Sequence, residues 1–402
     1  MFEYKKLLCF FIISSYLIAS AQPKLLLGAE QTNLYLPLLK GKKIAMVVNQ
    51  TSTIGSKHLI DTLRKLKVEI SIIFAPEHGF RGNHGAGVHI KSGKDLQTGL
   101  KVISLYGEHK KPTMEDLKDI QLVLFDIQDV GARFYTYIST LHYIMEACAA
   151  YNKPLIVLDR PNPNGFYVDG PVLDTGFRSF VGMHPVPVIH GLTIGEYANM
   201  INGEKWLKDT LTCKLIVIPM KGYSHYLKYE LPIKPSPNLP TVASVHLYPS
   251  LCLFEGTNYS VGRGTKKPFE CVGKPNNTIG DYQFLPKPIM GEAENPPFKN
   301  ETCKGFLLTD YSTELFLIEP KLNIDWLIAM YEADAQKQTF FTSFFDKLAG
   351  NDSLRKQIMS GIPEKQIRAS WQPKLDAYKR MRMNYLLYED FTVIYQIKTP
   401  NE

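Results

Sequence analysis

Five short polar clusters are spaced through the first half of the chain, each rich in groups that move protons or grip polar ligands. They read Asn49-Gln50-Thr51, Pro76-Glu77-His78-Gly79, Asp126-Ile127-Gln128-Asp129, Asp159-Arg160-Pro161-Asn162 and His190-Gly191. A carboxylate such as Glu77 or Asp126 serves as general acid or base when its surroundings tune its pKa, and amides and imidazoles supply directed donors and acceptors. Any single Asp or Asn in such a place has a plainer use, capping the next helix or closing an Asx turn. Capping accounts less well for the whole set.

Two other chemistries have to be weighed against acid–base work. His78, His84 and His89 share one Gly-rich loop with Glu77, which is the feature a metal-dependent amidase or deacetylase would use. Their spacing matches no standard zinc motif, so no metal is expected. For nucleotides, the first strand runs into Asn49-Gln50-Thr51 where a glycine fingerprint would stand, and Gly262-Arg263-Gly264-Thr265 lacks both the P-loop spacing and its Lys-Ser/Thr pair. No cofactor is implied.

The elements that position these groups repeat as β-branched run, loop and helical stretch, the pattern of βαβ units. Strands are expected at Lys43–Asn49, Val68–Phe74, Val102–Ser104, Leu122–Asp126, Leu155–Asp159 and Leu215–Pro219. Most are continuous apolar runs, as strands of a parallel sheet buried on both faces must be. Ligands of such sheets bind beyond the carboxyl ends of the strands, where the polar clusters fall. Thr193 and Glu196 form a capping box for a helix that stops near Gly203, Asp352 suits the start of a helix ending at Gly361, and Pro363 suits the first turn of the next. Prolines crowd the stretch Tyr223 to Pro249, where neither helix nor central strand is expected. The fold expected is α/β: a Rossmann-like, largely parallel domain over residues 22–240 and a smaller α+β domain over 241–402.

Residues 1–21 read as an export signal, with Lys5 and Lys6 ahead of the apolar run Leu7–Ile18 and Ala19-Ser20-Ala21 for cleavage. A secreted or periplasmic protein without stable membrane insertion is therefore expected. Removing the signal takes away Lys5, Lys6 and Glu3, lowering the net charge of +7 to +6. That excess is scattered, which argues against nucleic acid while allowing attraction to an anionic wall polymer. The remaining cysteines, Cys148, Cys213, Cys252, Cys271 and Cys303, are far apart and odd in number, so no disulfide scaffold is indicated.

At its motifs the chain resembles the exo-β-N-acetylmuramidase family of exported bacterial proteins. The resemblance runs through "PEHGFRG" from Pro76, "FDIQDVGARFYTYISTL" from Phe125, "VLDRPNP" from Val157, "GPVLD" from Gly170 and "PSPNLP" from Pro235. It continues with "YPSLCLFEGTNYSVGRGTKKPFE" from Tyr248 and "YLLY" from Tyr385. It implies two domains with a cleft between them. It also implies release of a terminal β-linked N-acetylmuramic acid from the non-reducing end of peptidoglycan fragments such as MurNAc-GlcNAc. Lys221–Lys234 departs from the family in being poor in Trp and Arg, so contacts to the leaving group are expected to differ there.

On this reading Glu77 is the general acid, the carboxylate the resemblance points to, following an apolar strand that would favour its protonated form. A pairing with Arg81 would have the opposite effect. His78 either assists it or binds a hydroxyl. Asp126, Asp129 and Glu255 compete with the substrate's own acetamido group for the second role, leaving retention and inversion open. The lactyl carboxylate of N-acetylmuramic acid calls for an arginine, Arg133 or Arg263. Phe134, Tyr135 and Tyr137 offer rings for the sugar or for the core of the next helix. Gln128, Asn162, His190, Asn238 and Asn258 are candidates for its polar groups. Two further readings stand beside this one: a non-catalytic cell-wall glycan-binding protein, and an exo-glucosaminidase indifferent to the lactyl group.

Overall fold

The computed structural model describes residues 24–77, 79–80, 93–314 and 320–391. The export segment and His78, Arg81, His84 and His89 lie outside the described residues. Among the described residues ten strands carry the two larger sheets: β1 Lys43–Val48, β2 Glu69–Ala75, β3 Gly93–Lys94, β4 Lys101–Ser104, β5 Leu122–Asp126, β6 Leu155–Leu158, β7 Leu215–Ile218, β8 Cys271–Lys274, β9 Tyr282–Phe284 and β10 Cys303–Leu307. The first seven form one sheet in the order β3-β4-β2-β1-β5-β6-β7, parallel throughout except for the short edge strand β3. The last three form a small antiparallel sheet in the second half of the chain.

Alternation along the strands separates two cores. Ile44, Met46 and Val48 of β1 face one core with Tyr35 and Leu39 of α1 (Thr32–Leu39) and Leu59 and Leu63 of α2 (Leu59–Lys65). Ala45 and Val47 face the other, with Ile138, Leu141 and Met145 of α3 (Tyr137–Ala150) and Tyr197 and Ile201 of α4 (Ile194–Gly203). This second core runs on without a break into Leu322, Leu327, Trp371 and Leu375 of the second half.

The capping box is present as expected: Thr193 Oγ1 accepts from the Glu196 amide at 3.2 Å, and the Thr193 amide donates to Glu196 Oε2 at 2.9 Å. The expectation for Tyr223–Pro249 needs correction at its end, because α5 (Val242–Leu251) contains Pro249 in its last turn. Proline there leaves the Val245 carbonyl without its helical donor. Asn164 Nδ2 fills the gap at 3.0 Å while also donating to the Val130 carbonyl at 2.8 Å. The five cysteines are all buried thiols. No described helix is long and apolar enough to cross a membrane.

Candidate active site

The chain steps from β1 outward to β2 and β4, then crosses back to lay β5 on the other side of β1. At this reversal the loops beyond the strands diverge and leave a crevice at their carboxyl ends. Asn49 follows β1 there, Glu77 follows β2, and the segment beginning at Ile127 follows β5. Asn49 is fully buried and makes the Asx turn that residues of its kind often make, accepting from the Thr51 amide at 2.9 Å. Its Nδ2 donates to the Tyr137 hydroxyl at 2.9 Å, and Thr51 Oγ1 accepts from the Gln128 amide at 3.1 Å, so the loops after β1 and β5 are tied together.

A pocket of about 410 Å³ opens in the crevice. Half-buried Glu77 forms part of its wall, its Oε2 accepting from Thr136 Oγ1 at 3.0 Å. Tyr135 and Tyr137 pack edge to face at 4.8 Å, and Tyr135 meets Tyr248 in the same way at 5.8 Å. The Pro-rich link adds Ser236, Asn238 and Leu239. That link is pinned by Gln50 Nε2 and the Tyr135 hydroxyl, which donate to the Pro235 carbonyl at 3.0 and 2.9 Å.

The second half closes the pocket with Tyr248, Arg263 and Phe269. Arg263 donates from Nε to Glu255 Oε1 at 2.6 Å, and its guanidinium lies over the Phe269 ring at 4.9 Å. Burial works against its charge, but Glu255 outweighs it and holds the pKa above the ordinary arginine range. Neither Nη of Arg263 is bonded to a described residue. Phe269 adopts a positive φ of 55°, uncommon for a bulky side chain and frequent where a ligand site fixes the backbone.

Of the residues singled out from sequence, Glu77, Phe134, Tyr135, Tyr137, Asn238 and Arg263 come together around this pocket, and Glu255 stands behind Arg263. Asn238 Nδ2 is already committed to the Glu292 carbonyl at 2.8 Å. Packing withdraws the other described candidates. Asp126 is fully buried and accepts both Nε and Nη2 of Arg160, at 2.5 and 2.9 Å, which makes it an internal ion pair instead of a solvent-facing base. Arg133 is also fully buried, its guanidinium donating at 2.8 Å to each of the carbonyls of Pro171, Val186 and Leu348, and burial pushes its pKa down to about 10. It has no face to offer a substrate carboxylate.

Gln128 donates to the carbonyls of Asp129 and Pro161, and Asn162 to that of Leu192, so both amides brace loops. Asp129 Oδ2 accepts from the Gly131 amide at 2.7 Å, with the fully buried His190 3.7 Å away. Asn258 sits beside Phe340 and Asp334, not at the pocket. Thr136, Ser236, Tyr248 and Phe269 were not singled out by sequence reasoning, although all four stand inside the long motifs. For Thr136 the signal was its place between two tyrosines already named.

Two family models match the chain, "Exo-beta-N-acetylmuramidase NamZ, N-terminal" over residues 44–243 and its C-terminal counterpart over residues 246–388. The chain is 38% identical over 373 residues to the peptidoglycan beta-N-acetylmuramidase NamZ of Bacillus subtilis (strain 168), covering 88% of this chain and 89% of that one. Among solved structures it is similar to a DUF1343 family protein of Bacteroides fragilis NCTC 9343, with 45% identity, a TM-score of 0.85, and 92% of this chain and 100% of that chain covered. A second DUF1343 family protein from the same organism is 29% identical with a TM-score of 0.75, covering 91% of this chain and 100% of its own.

Proposed function

Since the chain belongs to the exo-β-N-acetylmuramidase family of glycoside hydrolases, we propose that it releases terminal β-linked N-acetylmuramic acid from the non-reducing end of peptidoglycan fragments, with Glu77 as the general acid. The observation that carries this assignment is that one pocket holds both a carboxylate and an arginine able to accept a carboxylate. Glu77 protonates the glycosidic oxygen as the bond breaks, and Thr136 holds its other oxygen and fixes the carboxyl plane. Arg263, with its Nε on Glu255, turns its Nη groups to the lactyl carboxylate, the one charged group separating this sugar from N-acetylglucosamine.

With Asp126 locked by Arg160 and Asp129 buried, the second role falls to Glu255 or to the substrate's acetamido oxygen. Export through residues 1–21 belongs to the same proposal, since the polymer lies outside the cytoplasm; N-terminal sequencing of the mature protein should then begin at Gln22. The test of the activity is sugar release from chromogenic β-MurNAc and β-GlcNAc glycosides. Wild type should cleave the first and not the second, with or without chelator, and on the MurNAc-GlcNAc disaccharide, whose leaving sugar is unactivated, Glu77→Gln should lose at least about a thousandfold of kcat. Binding without turnover by folded wild type would point instead to a wall-binding protein.

A further inference from the structure

Glu255 accepts the Arg263 Nε on one carboxyl oxygen, and a thiol holds the other. Helix α5 tightens at its end into a 3₁₀ turn, Cys252–Gly256. Side chains three residues apart eclipse one another in such a turn, which sets Cys252 over Glu255. Its Sγ donates to Glu255 Oε2 at 3.7 Å, while Oε1 accepts from Arg263 at 2.6 Å. The turn has little room to shift, since a Cβ on Gly256 would lie 2.4 Å from the Phe345 Cα.

One helical turn before Cys252, Tyr248 hydrogen-bonds the same thiol with its hydroxyl. Cys252 is 1% exposed, and burial, with the charge of Glu255 adding to it, pushes the thiol pKa well above its ordinary value. The sulfur therefore keeps its proton and acts as a donor, not as a nucleophile. A hydrogen-bonded chain runs from Tyr248 through Cys252 and Glu255 to Arg263, and the residues at both of its ends line the pocket of Glu77.

We propose that Cys252 is a positioning residue for substrate selection: its thiol fixes the Glu255 carboxylate and, through it, the direction in which Arg263 presents its Nη groups. The inference rests on the glycosidase reading above, in which those groups receive the lactyl carboxylate. A guanidinium gripped at one nitrogen by a carboxylate free to rotate would sweep its fork across the pocket. Pinning that carboxylate at its second oxygen removes the freedom, so less entropy is lost when the sugar binds.

A buried thiol has a plainer use as a small apolar filler, and the two roles rank substitutions in opposite orders. Serine keeps a donor but suits an apolar site poorly, whereas valine fills the volume and has no donor. Cys252→Ser, Cys252→Val, Arg263→Ala and the double variant Cys252→Val with Arg263→Ala should be assayed on a chromogenic β-MurNAc glycoside. The lactyl contact is made both before and during bond breaking, so weakening it raises KM more than it lowers kcat. Cys252→Val should raise KM about fivefold, the worth of one weak hydrogen bond, and Cys252→Ser should stay within about twofold of wild type. With Arg263→Ala already in place, Cys252→Val should lower kcat/KM no further, because the group it acts through is gone. An unaltered KM in Cys252→Val overturns the proposal, and so does an equal loss with and without Arg263.

A second measurement is independent of the valine variant. The infrared difference spectrum of wild type minus Cys252→Ser isolates one S–H stretch, which should lie at the lowered frequency of a hydrogen-bonded thiol and move when free MurNAc is added. A band at the frequency of an unbonded thiol overturns the assignment. If wild type turns over no β-MurNAc glycoside, the activity itself is refuted and this inference with it. Turnover with a KM indifferent to Cys252→Val refutes the positioning role alone.

Discussion

Arg133 and Arg263 enter the sequence as equals, each in a long motif and each near an acidic residue. Burial separates them. Three carbonyls hold the Arg133 guanidinium inside the core, whereas Arg263 spends one nitrogen on Glu255 and keeps its fork for the pocket. Arg263→Lys retains the charge but loses the bidentate geometry, and Arg263→Ala loses both. The preference for β-MurNAc over β-GlcNAc glycosides should therefore drop in two steps, by about tenfold in the lysine variant and about a hundredfold in the alanine variant, matching the worth of a partly desolvated ion pair. Preference that survives in Arg263→Ala would place the lactyl group elsewhere. The position of Glu77 was legible from sequence because a residue just past an apolar strand has to emerge at the sheet's rim. What sequence could not separate was Asp126 from Glu77, since the partner that neutralises Asp126 is Arg160, 34 residues further along on another strand's loop.

At the scale of elements, the parallel strands were readable because burial on both faces leaves an unbroken apolar run, and the capped helix was readable because its signals are local. Helix α5 was not. Its proline argues against it in any local reading, and what repairs it is the side chain of Asn164, 81 residues distant. That single amide nitrogen ties the loop after β5 to the helix that carries Tyr248 into the pocket. Asn164→Ala leaves two buried carbonyls without a donor and should cost about 2 kcal/mol of stability by denaturant unfolding. Because Tyr248 rides on the same helix, kcat/KM should fall as well, even with the protein fully folded at assay temperature. A stable variant of normal activity would mean that α5 holds its last turn by other contacts.

Across the whole molecule, the end of the described chain is fastened to the parallel sheet. The Tyr388 hydroxyl donates to Asp159 Oδ2 at 2.5 Å and accepts from the Met220 amide at 2.9 Å, while Thr193 and the Gly195 amide also donate to the Asp159 carboxylate. Burial raises the Asp159 pKa to about 6, with nearby Glu196 adding to the effect and the hydrogen bonds opposing it. The folded state thus holds this proton more tightly than the unfolded chain, whose carboxyl titrates near the ordinary 3.8. The stability contributed is complete below about pH 4 and is lost as pH rises through about 6. Relative to wild type, Asp159→Asn should therefore become more stable by about 2 kcal/mol between pH 4 and pH 7, measured as the difference in unfolding free energy at the two pH values. A pH-independent difference would mean that the carboxyl stays ionised throughout. A second fastening has a broader consequence. Arg133 reaches from the loop after β5 to the Leu348 carbonyl, and the core on that face of the sheet is shared by both halves of the chain. Cutting the polypeptide between the two family-model segments would uncover a large oily surface on each piece and strand a buried guanidinium on one of them. Neither fragment has a solvent-compatible exterior, so the two halves make one experimental unit, to be expressed and denatured together.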